Sequence, residues 1–166
     1  ECSRDLSLRN ETIDTPFETI SSPFIEEDVT IVGIMRAGMG MLDGFLQMFP
    51  HSKVGHIGIY RDKLLNNTVE YYFRIPEGIE KTKVYLLDPL LATGNTVVAA
   101  LDRLAQYGAT DVRFNCLLAS QQGIENLHKT HPHVPITCLS VERTLNEHGY
   151  LLPGLGDAGD RIFGTQ

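Results

Sequence analysis

Between Val29 and Val141, short apolar runs alternate with stretches of helical spacing, and no other feature restricts the possible folds of this chain so much. VTIVGI (29–34), VGHIGIY (54–60) and KVYLLD (83–88) are near-continuous apolar segments. A strand with one wet face alternates polar and apolar residues, whereas a strand covered on both faces does not need to. Between these runs, 39–49 has helical spacing and stops before Pro50. Residues 96–107 present an apolar face of Val97, Val98, Leu101, Leu104 and Ala105, then end at Gly108, a residue suited to the left-handed position beyond a helix C-terminus. A strand over 111–118, a helix over 122–130 and a strand over 135–141 continue the series. Such alternation predicts an α/β fold, a mostly parallel sheet with helices packed on it. Ahead of it, DLSLRNETIDTPFETI (5–20) reads as a hairpin arm turning at Asn10–Glu11, and 61–77 reads as a flap or hairpin around Asn66–Asn67. With no repeat, low-complexity tract or linker, residues 1–166 are expected to form one domain.

Charge and cysteine content narrow the function. Against 21 acidic residues stand 14 basic ones, a formal net charge of −7, so nucleic acid and an anionic membrane surface are not expected partners. No apolar run approaches the roughly 20 residues that span a bilayer. The start shows no signal-peptide pattern, although the chain opens on Glu1 and an upstream segment is expected. Cys2, Cys116 and Cys138 lie in no close Cys/His cluster and read as buried or free thiols of a reducing compartment, which makes the cytoplasm the expected location. An anionic substrate remains open to such a chain if main-chain N–H groups, a cation and a few arginines build a local positive pocket. In open α/β sheets that pocket lies beyond the carboxyl ends of the strands. Three loops fall there, at 35–38, from 61 onward, and at 88–96.

The third loop carries the most chemistry. In LLDPLLATGNTVVAALDRL (86–104) a carboxylate, Asp88, ends a strand, and Thr93, Gly94, Asn95 and Thr96 open a helix. The first N–H groups of a helix have no partner inside it, and its dipole favours negative charge there. Asp88 would repel a phosphate but suits ribose hydroxyls or a Mg²⁺ ion. The same residues also suit an ordinary capped helix after a buried strand; the loop is neither a Walker A motif nor a GxGxxG fingerprint. In IMRAGMGMLDG (34–44), Arg36 stands where a strand hands over to a helix, beside Ala37, Gly38 and Gly40. A guanidinium there can grip pyrophosphate oxygens in pairs, or it is a surface arginine at a tight turn. Arg61, in GHIGIYRD (55–62), has the same two readings. The tail NEHGYLLPGLGDAGDRIFGT (146–165) is glycine-rich and irregular, which suits a working surface made of backbone or a loop that covers the sheet.

Asp88-Pro89 followed by an apolar pair and Ala92-Thr93-Gly94 resembles the phosphoribosyl-pyrophosphate motif of type I phosphoribosyltransferases, in its uracil phosphoribosyltransferase branch. The segment 34–44 is similar to ILRAGLGMxDG of that family, and the tail resembles its uracil-binding segment almost throughout. Asn95 stands where a second glycine is usual, and Thr96 replaces serine; Asn tolerates positive φ best among non-glycine residues, and Thr keeps the hydroxyl. The resemblance implies a central parallel sheet between helices, the hairpin arm and a small C-terminal hood. It also implies transfer of a ribosyl phosphate from 5-phosphoribosyl pyrophosphate (PRPP) to uracil, giving UMP and pyrophosphate. Carried over by position, Arg36, Arg61, Asp88, Pro89, Leu90, Leu91, Ala92, Thr93, Gly94, Asn95, Thr96 and Asp157 would bind PRPP, with Asp88, Arg36 and Arg61 catalytic. Leu151, Gly156, Asp157 and Ala158 would hold uracil, whose two carbonyls and one N3–H a tight loop can read with main-chain groups. Mg²⁺ would arrive bound to PRPP without direct protein ligands. The resemblance also implies a homodimer or homotetramer, with the hairpin arm (5–20) and the Met-rich helix as the expected interface surface, and GTP as a possible activator, as it is in some relatives.

Two other readings stand beside this one. A transferase for a purine or orotate is opposed by Asp88-Pro89 and by GLGDAGD (154–160). A silent or regulatory domain, such as a uridine kinase fusion domain or an RNA-binding attenuator, is opposed by the intact tail and the acidic charge. His128, His131 and His133 are placed at a helix C-terminus, where histidine is favoured without any metal, and Met35, Met39, Met41 and Met48 read as packing residues.

Overall fold

The computed structural model describes residues 1–62 and 67–165, and gives the backbone alone for Arg61, Asp62 and Asn67. In chain order the elements are β1 (Leu8–Asp14), β2 (Thr19–Ile25), β3 (Val29–Met35), α1 (Met39–Met48), β4 (Lys53–Asp62), β5 (Asn67–Arg74), β6 (Lys83–Leu87), β7 (Leu90–Leu91), α2 (Asn95–Gln106), β8 (Val112–Asn115), β9 (Leu118–Ser120), α3 (Gln121–Thr130), β10 (Ile136–Thr137), β11 (Ser140–Glu142), β12 (Thr144–Leu145), β13 (Leu151–Leu152) and α4 (Ala158–Phe163).

The main sheet runs β10-β8-β6-β3-β4-β5, parallel except for the antiparallel edge strand β5. Its central strands are apolar throughout because both faces are covered: β3 is buried from Val29 to Ile34 and β6 along its whole length. On one face, Val97, Ala100, Leu101 and Leu104 of α2 and Leu127 of α3 pack on Val32, Ile34, Ile57, Leu86 and Phe114. On the other, Met41, Leu42, Phe45 and Leu46 of α1 meet Val29, Ile31, Tyr85 and Leu87. Burying one such Leu or Ile fully contributes about 1.5–3 kcal/mol.

The order reverses between β3 and β6. From β3 the chain moves through α1 to β4 on one side, while from β6 it moves through α2 to β8 on the other. The loops after β3 and β6 therefore separate to opposite faces and leave a crevice between them, the place where open α/β sheets bind ligands.

Beyond this point three strands break and resume in step. β7, β9 and β11 continue the paths of β6, β8 and β10 as a small parallel sheet. Pro89 has no N–H to give to the ladder, so β6 cannot run on through it. Its carbonyl instead accepts from both Leu117 N–H (2.9 Å) and Leu118 N–H (3.1 Å), and the Leu117 carbonyl accepts from Leu139 (3.1 Å) and Ser140 (3.2 Å). The strands expected at 111–118 and 135–141 are each divided by this shared irregularity, a tertiary effect that periodicity does not record.

The arm is antiparallel, with Leu8 opposite Ile25 and Asp14 opposite Thr19. Its turn falls at Thr15–Glu18 rather than at Asn10–Glu11, because the Thr15 hydroxyl accepts from Phe17 N–H and Glu18 N–H and so closes that turn. Asn10 and Glu11 lie inside β1. The flap expected over 61–77 is the β4–β5 pair, and its expected turn at Asn66 lies outside the described residues.

Candidate active site

Arg36 is the first residue after β3, and the Met35–Arg36 peptide is cis. The loop then closes at once, with Gly38 N–H bonded to the Ile34 carbonyl at 2.8 Å. Gly38 lies against the carboxyl end of β6: a Cβ there would stand 2.3 Å from the Leu87 carbonyl oxygen and 2.6 Å from that of Ile34. Only glycine allows this approach, which brings the first loop onto the root of the second.

At that root is Asp88. Burial pushes its carboxyl up to about 7; the Leu90 N–H, 3.5 Å from Oδ1, works weakly against the rise, and the charge of Asp157 adds to it. This carboxyl therefore keeps its proton to much higher pH than an ordinary aspartate does.

After β7 the chain passes Ala92 and Thr93 to Gly94, whose φ of +84° is a left-handed conformation open to glycine. The first bond inside α2 runs from Val98 N–H to the Gly94 carbonyl (2.9 Å), so the N–H groups of Asn95, Thr96 and Val97 precede the helical ladder. Positive φ thus falls on Gly94, and Asn95 is simply the first residue of the helix. The usual second glycine is not needed there for backbone reasons.

Helix α3 backs this loop from outside. The Ser120 hydroxyl donates to the Ala92 carbonyl (2.5 Å) and accepts from Gly123 N–H (2.8 Å), capping α3. Asn126 Nδ2 donates to the Thr93 carbonyl (2.9 Å) and to Asn95 Oδ1 (3.0 Å). Ser120, Gly123 and Asn126 recur at intervals of three along one helix face, a pattern that the apolar periodicity of the sequence hides.

The tail closes the crevice. Asp157 caps α4 by accepting from Asp160 N–H at 2.9 Å. Asp160 in turn receives Arg36 Nη2 at 2.8 Å and the Thr165 hydroxyl at 2.7 Å, and these two contacts hold its carboxyl below the usual carboxylate range.

A cleft of about 270 Å³ results, lined by Arg36, Asp88, Thr96 and Asp157 together with Tyr60 and Tyr71 of the β4–β5 pair. A cavity of about 80 Å³ adjoins it through Asp88 and Thr96 and is lined by Leu90, Leu91, Ala92, Thr93 and Gly94. Pro89 is buried, and Leu91 and Leu151 are core side chains. Gly156 is exposed with φ +78°, Ala158 is buried at the start of α4, and Asn95 turns away from the cleft to Asn126. The backbone of Arg61 lies near the end of β4, opposite Thr68; its side chain lies outside the described residues. Sequence reasoning misses Tyr60, Tyr71, Asn126, Asp160 and Thr165 as individual site residues: Tyr60, Asp160 and Thr165 lie within segments singled out above, but only the fold shows which side chains of those segments reach the cleft or Arg36. His131 bonds Asp102 and His128 faces the Val134 carbonyl. A further cavity of about 640 Å³ lies beyond Thr93 and Asn95, between α3 and the turn at 146–149; it is larger but contains neither Asp88 nor Arg36.

A cleft at the sheet's reversal point, with a helix-opening loop after a strand-ending acid, is the arrangement of the type I phosphoribosyltransferase fold, and the similarities to known proteins assign the chain to that class. The fold is shared with adenine phosphoribosyltransferase of Trypanosoma brucei, at a TM-score of 0.57 and 19% identity over 78% of this chain and 61% of that one. A solved Aquifex aeolicus protein is far more similar, with a TM-score of 0.91 and 33% identity over 97% of this chain and 77% of its own. The uracil phosphoribosyltransferase of Agrobacterium fabrum is 48% identical across 100% of this chain and 80% of the relative. The uracil phosphoribosyltransferase family model matches residues 1–165. The chain belongs to the uracil phosphoribosyltransferase family, pentosyl-transferring enzymes of uracil salvage.

Proposed function

We propose that the cleft joins N1 of uracil to C1′ of PRPP, breaking the bond from C1′ to pyrophosphate and releasing the N1 proton, to give UMP. The observation that carries this reading is the convergence of Arg36, Asp88, Thr96 and Asp157 on one cleft at the reversal point of the sheet. The 5′-phosphate sits on the N–H groups from Thr93 through Val97, where a helix N-terminus favours an anion. Asp88 accepts from the ribose hydroxyls, Arg36 and Arg61 receive the pyrophosphate, and main-chain groups of Leu151 and of Gly156–Ala158 read uracil.

Rate enhancement then comes from holding the reactants in line and from stabilising the charge that grows on the departing pyrophosphate. Two carboxylates share the cleft, and no group of three or more His, Cys, Asp or Glu side chains able to hold a metal occurs among the described residues. That donor set would suit a Mg²⁺ ion carried in on PRPP, with Asp88 and Asp157 as the protein carboxylates available to it. Such an ion would supply positive charge to the leaving pyrophosphate.

Apolar side chains exposed on the arm, including Phe17, Phe24 and Ile25, favour self-association there. Among the described residues no helix is long and apolar enough to cross a membrane, and the reading places the enzyme in the cytoplasm. The test is formation of UMP and pyrophosphate from uracil, PRPP and Mg²⁺, run against hypoxanthine, orotate and cytosine, with and without GTP. Arg36→Ala should lower kcat about 10²- to 10³-fold, as expected for loss of one preorganised charge-stabilising donor. Unchanged rates in both Arg36→Ala and Asp88→Ala would sink the assignment.

A further inference from the structure

We propose that Asp160 and Thr165 are positioning residues for Arg36, holding its guanidinium at the angle at which it meets the pyrophosphate. The inference rests on the assignment of Arg36 to pyrophosphate made above. Arg36 is a long side chain, 49% exposed, at the rim of the cleft. Left free, it would sample many rotamers and lose that freedom on binding.

It is not left free. Nη1 donates to Thr165 Oγ1 at 2.8 Å and Nη2 donates to Asp160 Oδ1 at 2.8 Å. The Thr165 hydroxyl gives its own hydrogen to the same Asp160 oxygen at 2.7 Å, closing a ring of three hydrogen bonds. A guanidinium has five N–H donors; with two engaged in this ring, three remain for a ligand, Nε among them.

The ring is anchored on the tail. Asp160 N–H bonds Asp157 Oδ1 at 2.9 Å, and Thr165 N–H bonds the Asp160 carbonyl at 3.1 Å across the left-handed Gly164. Gly159 lies beneath the guanidinium, where a Cβ would stand 3.5 Å from Arg36 Nη2 and 3.7 Å from its Cζ, ordinary van der Waals contact that packs the tail against the ring. An ion pair this exposed contributes little to stability. What it does contribute is orientation, since a planar fork held at two nitrogens presents its remaining donors in a set direction.

The test compares the unaltered chain with Asp160→Ala, Asp160→Asn and Thr165→Val, measuring affinity for pyrophosphate and for ribose 5-phosphate by calorimetry and KM for each substrate. Asp160→Ala should weaken pyrophosphate binding and raise KM for PRPP about 10- to 100-fold, the effect of losing a charge-assisted hydrogen bond. Affinity for ribose 5-phosphate and KM for uracil should stay at their wild-type values, and Asp160→Asn, whose amide oxygen still accepts both bonds, should recover part of the loss. Equal losses for all ligands, or undiminished pyrophosphate binding in Asp160→Ala, would overturn the inference alone. A wild-type chain that binds neither pyrophosphate nor PRPP would overturn it together with the reading of the cleft.

Discussion

Asp88→Asn should make the protein more stable and inactive, and the gain should depend on pH in a defined way. Burial raises the Asp88 carboxyl from its ordinary 3.8 to about 7, so the folded chain favours the protonated form. Its contribution is whole below pH 3.8, declines as pH rises between the two values, and is constant above about 7. At about 1.4 kcal/mol for each tenfold change in proton affinity, Asp88 costs the fold about 4 kcal/mol at pH 8, where it ionises in both states, and about 2 kcal/mol at pH 5, where it ionises only in the unfolded chain. Asparagine has nearly the same shape, still accepts from Leu90 N–H and never ionises. Urea unfolding of both proteins from pH 5 to pH 8 reads the difference directly, because every other titrating group cancels. The gap should widen by about 1.4 kcal/mol per pH unit up to pH 7 and then level. A gap independent of pH, or a wild type that is the more stable protein at pH 8, would refute the reasoning. The wild type should also carry a catalytic signature, since ribose hydroxyls or a cation select the ionised form. KM for PRPP should fall as pH rises toward 7, and binding at pH 6 should release a proton.

Other perturbations test the scaffold. Gly38→Ala drives a Cβ to 2.3 Å from the Leu87 carbonyl, and the backbone shift should cost about 1–3 kcal/mol and misplace Arg36, read as a lower Tm and lost activity. Gly44→Ala, in α1 with nothing within 4 Å of the added Cβ, should instead raise stability by about 0.5–1 kcal/mol. Asn126→Ala removes the two bonds that brace the loop at Thr93 and Asn95, and KM for PRPP should rise about 5- to 10-fold with KM for uracil unchanged. Burial pushes the Cys116 thiol up to about 12, so it should resist alkylation in the native protein while Cys2 and Cys138 react, as peptide mapping would show.

The sheet is legible in the sequence because its central strands are buried on both faces, and that burial writes continuous apolar runs into β3, β4 and β6. The loop at 88–96 is legible because the geometry of a strand-ending acid and a helix N-terminus is local in sequence. What cannot be read is what depends on distant partners. Thr15, not Asn10, closes the arm because its hydroxyl reaches two amides, and composition alone accepts either site. The strands at 111–118 and 135–141 divide because Pro89, more than twenty residues away in sequence, interrupts the neighbouring strand, and the irregularity passes across the sheet through shared carbonyls. Tolerance of positive φ is not what suits Asn95 to its place, since Gly94 alone carries that conformation and the Asn95 side chain bonds Asn126 instead. The neighbours of Arg36 in sequence point to a ligand-binding group, but its hold on Asp160 and Thr165 spans 124 and 129 residues.

Crystals of the chain soaked with UMP test the site most directly. The phosphate should lie within hydrogen-bond distance of the amides from Thr93 to Val97, with the ribose over Asp88 and the pyrimidine against the main chain of Leu151 and Gly156–Ala158. A nucleotide seated instead in the larger cavity between α3 and the turn at 146–149, with Asp88 and Arg36 untouched, would contradict the account.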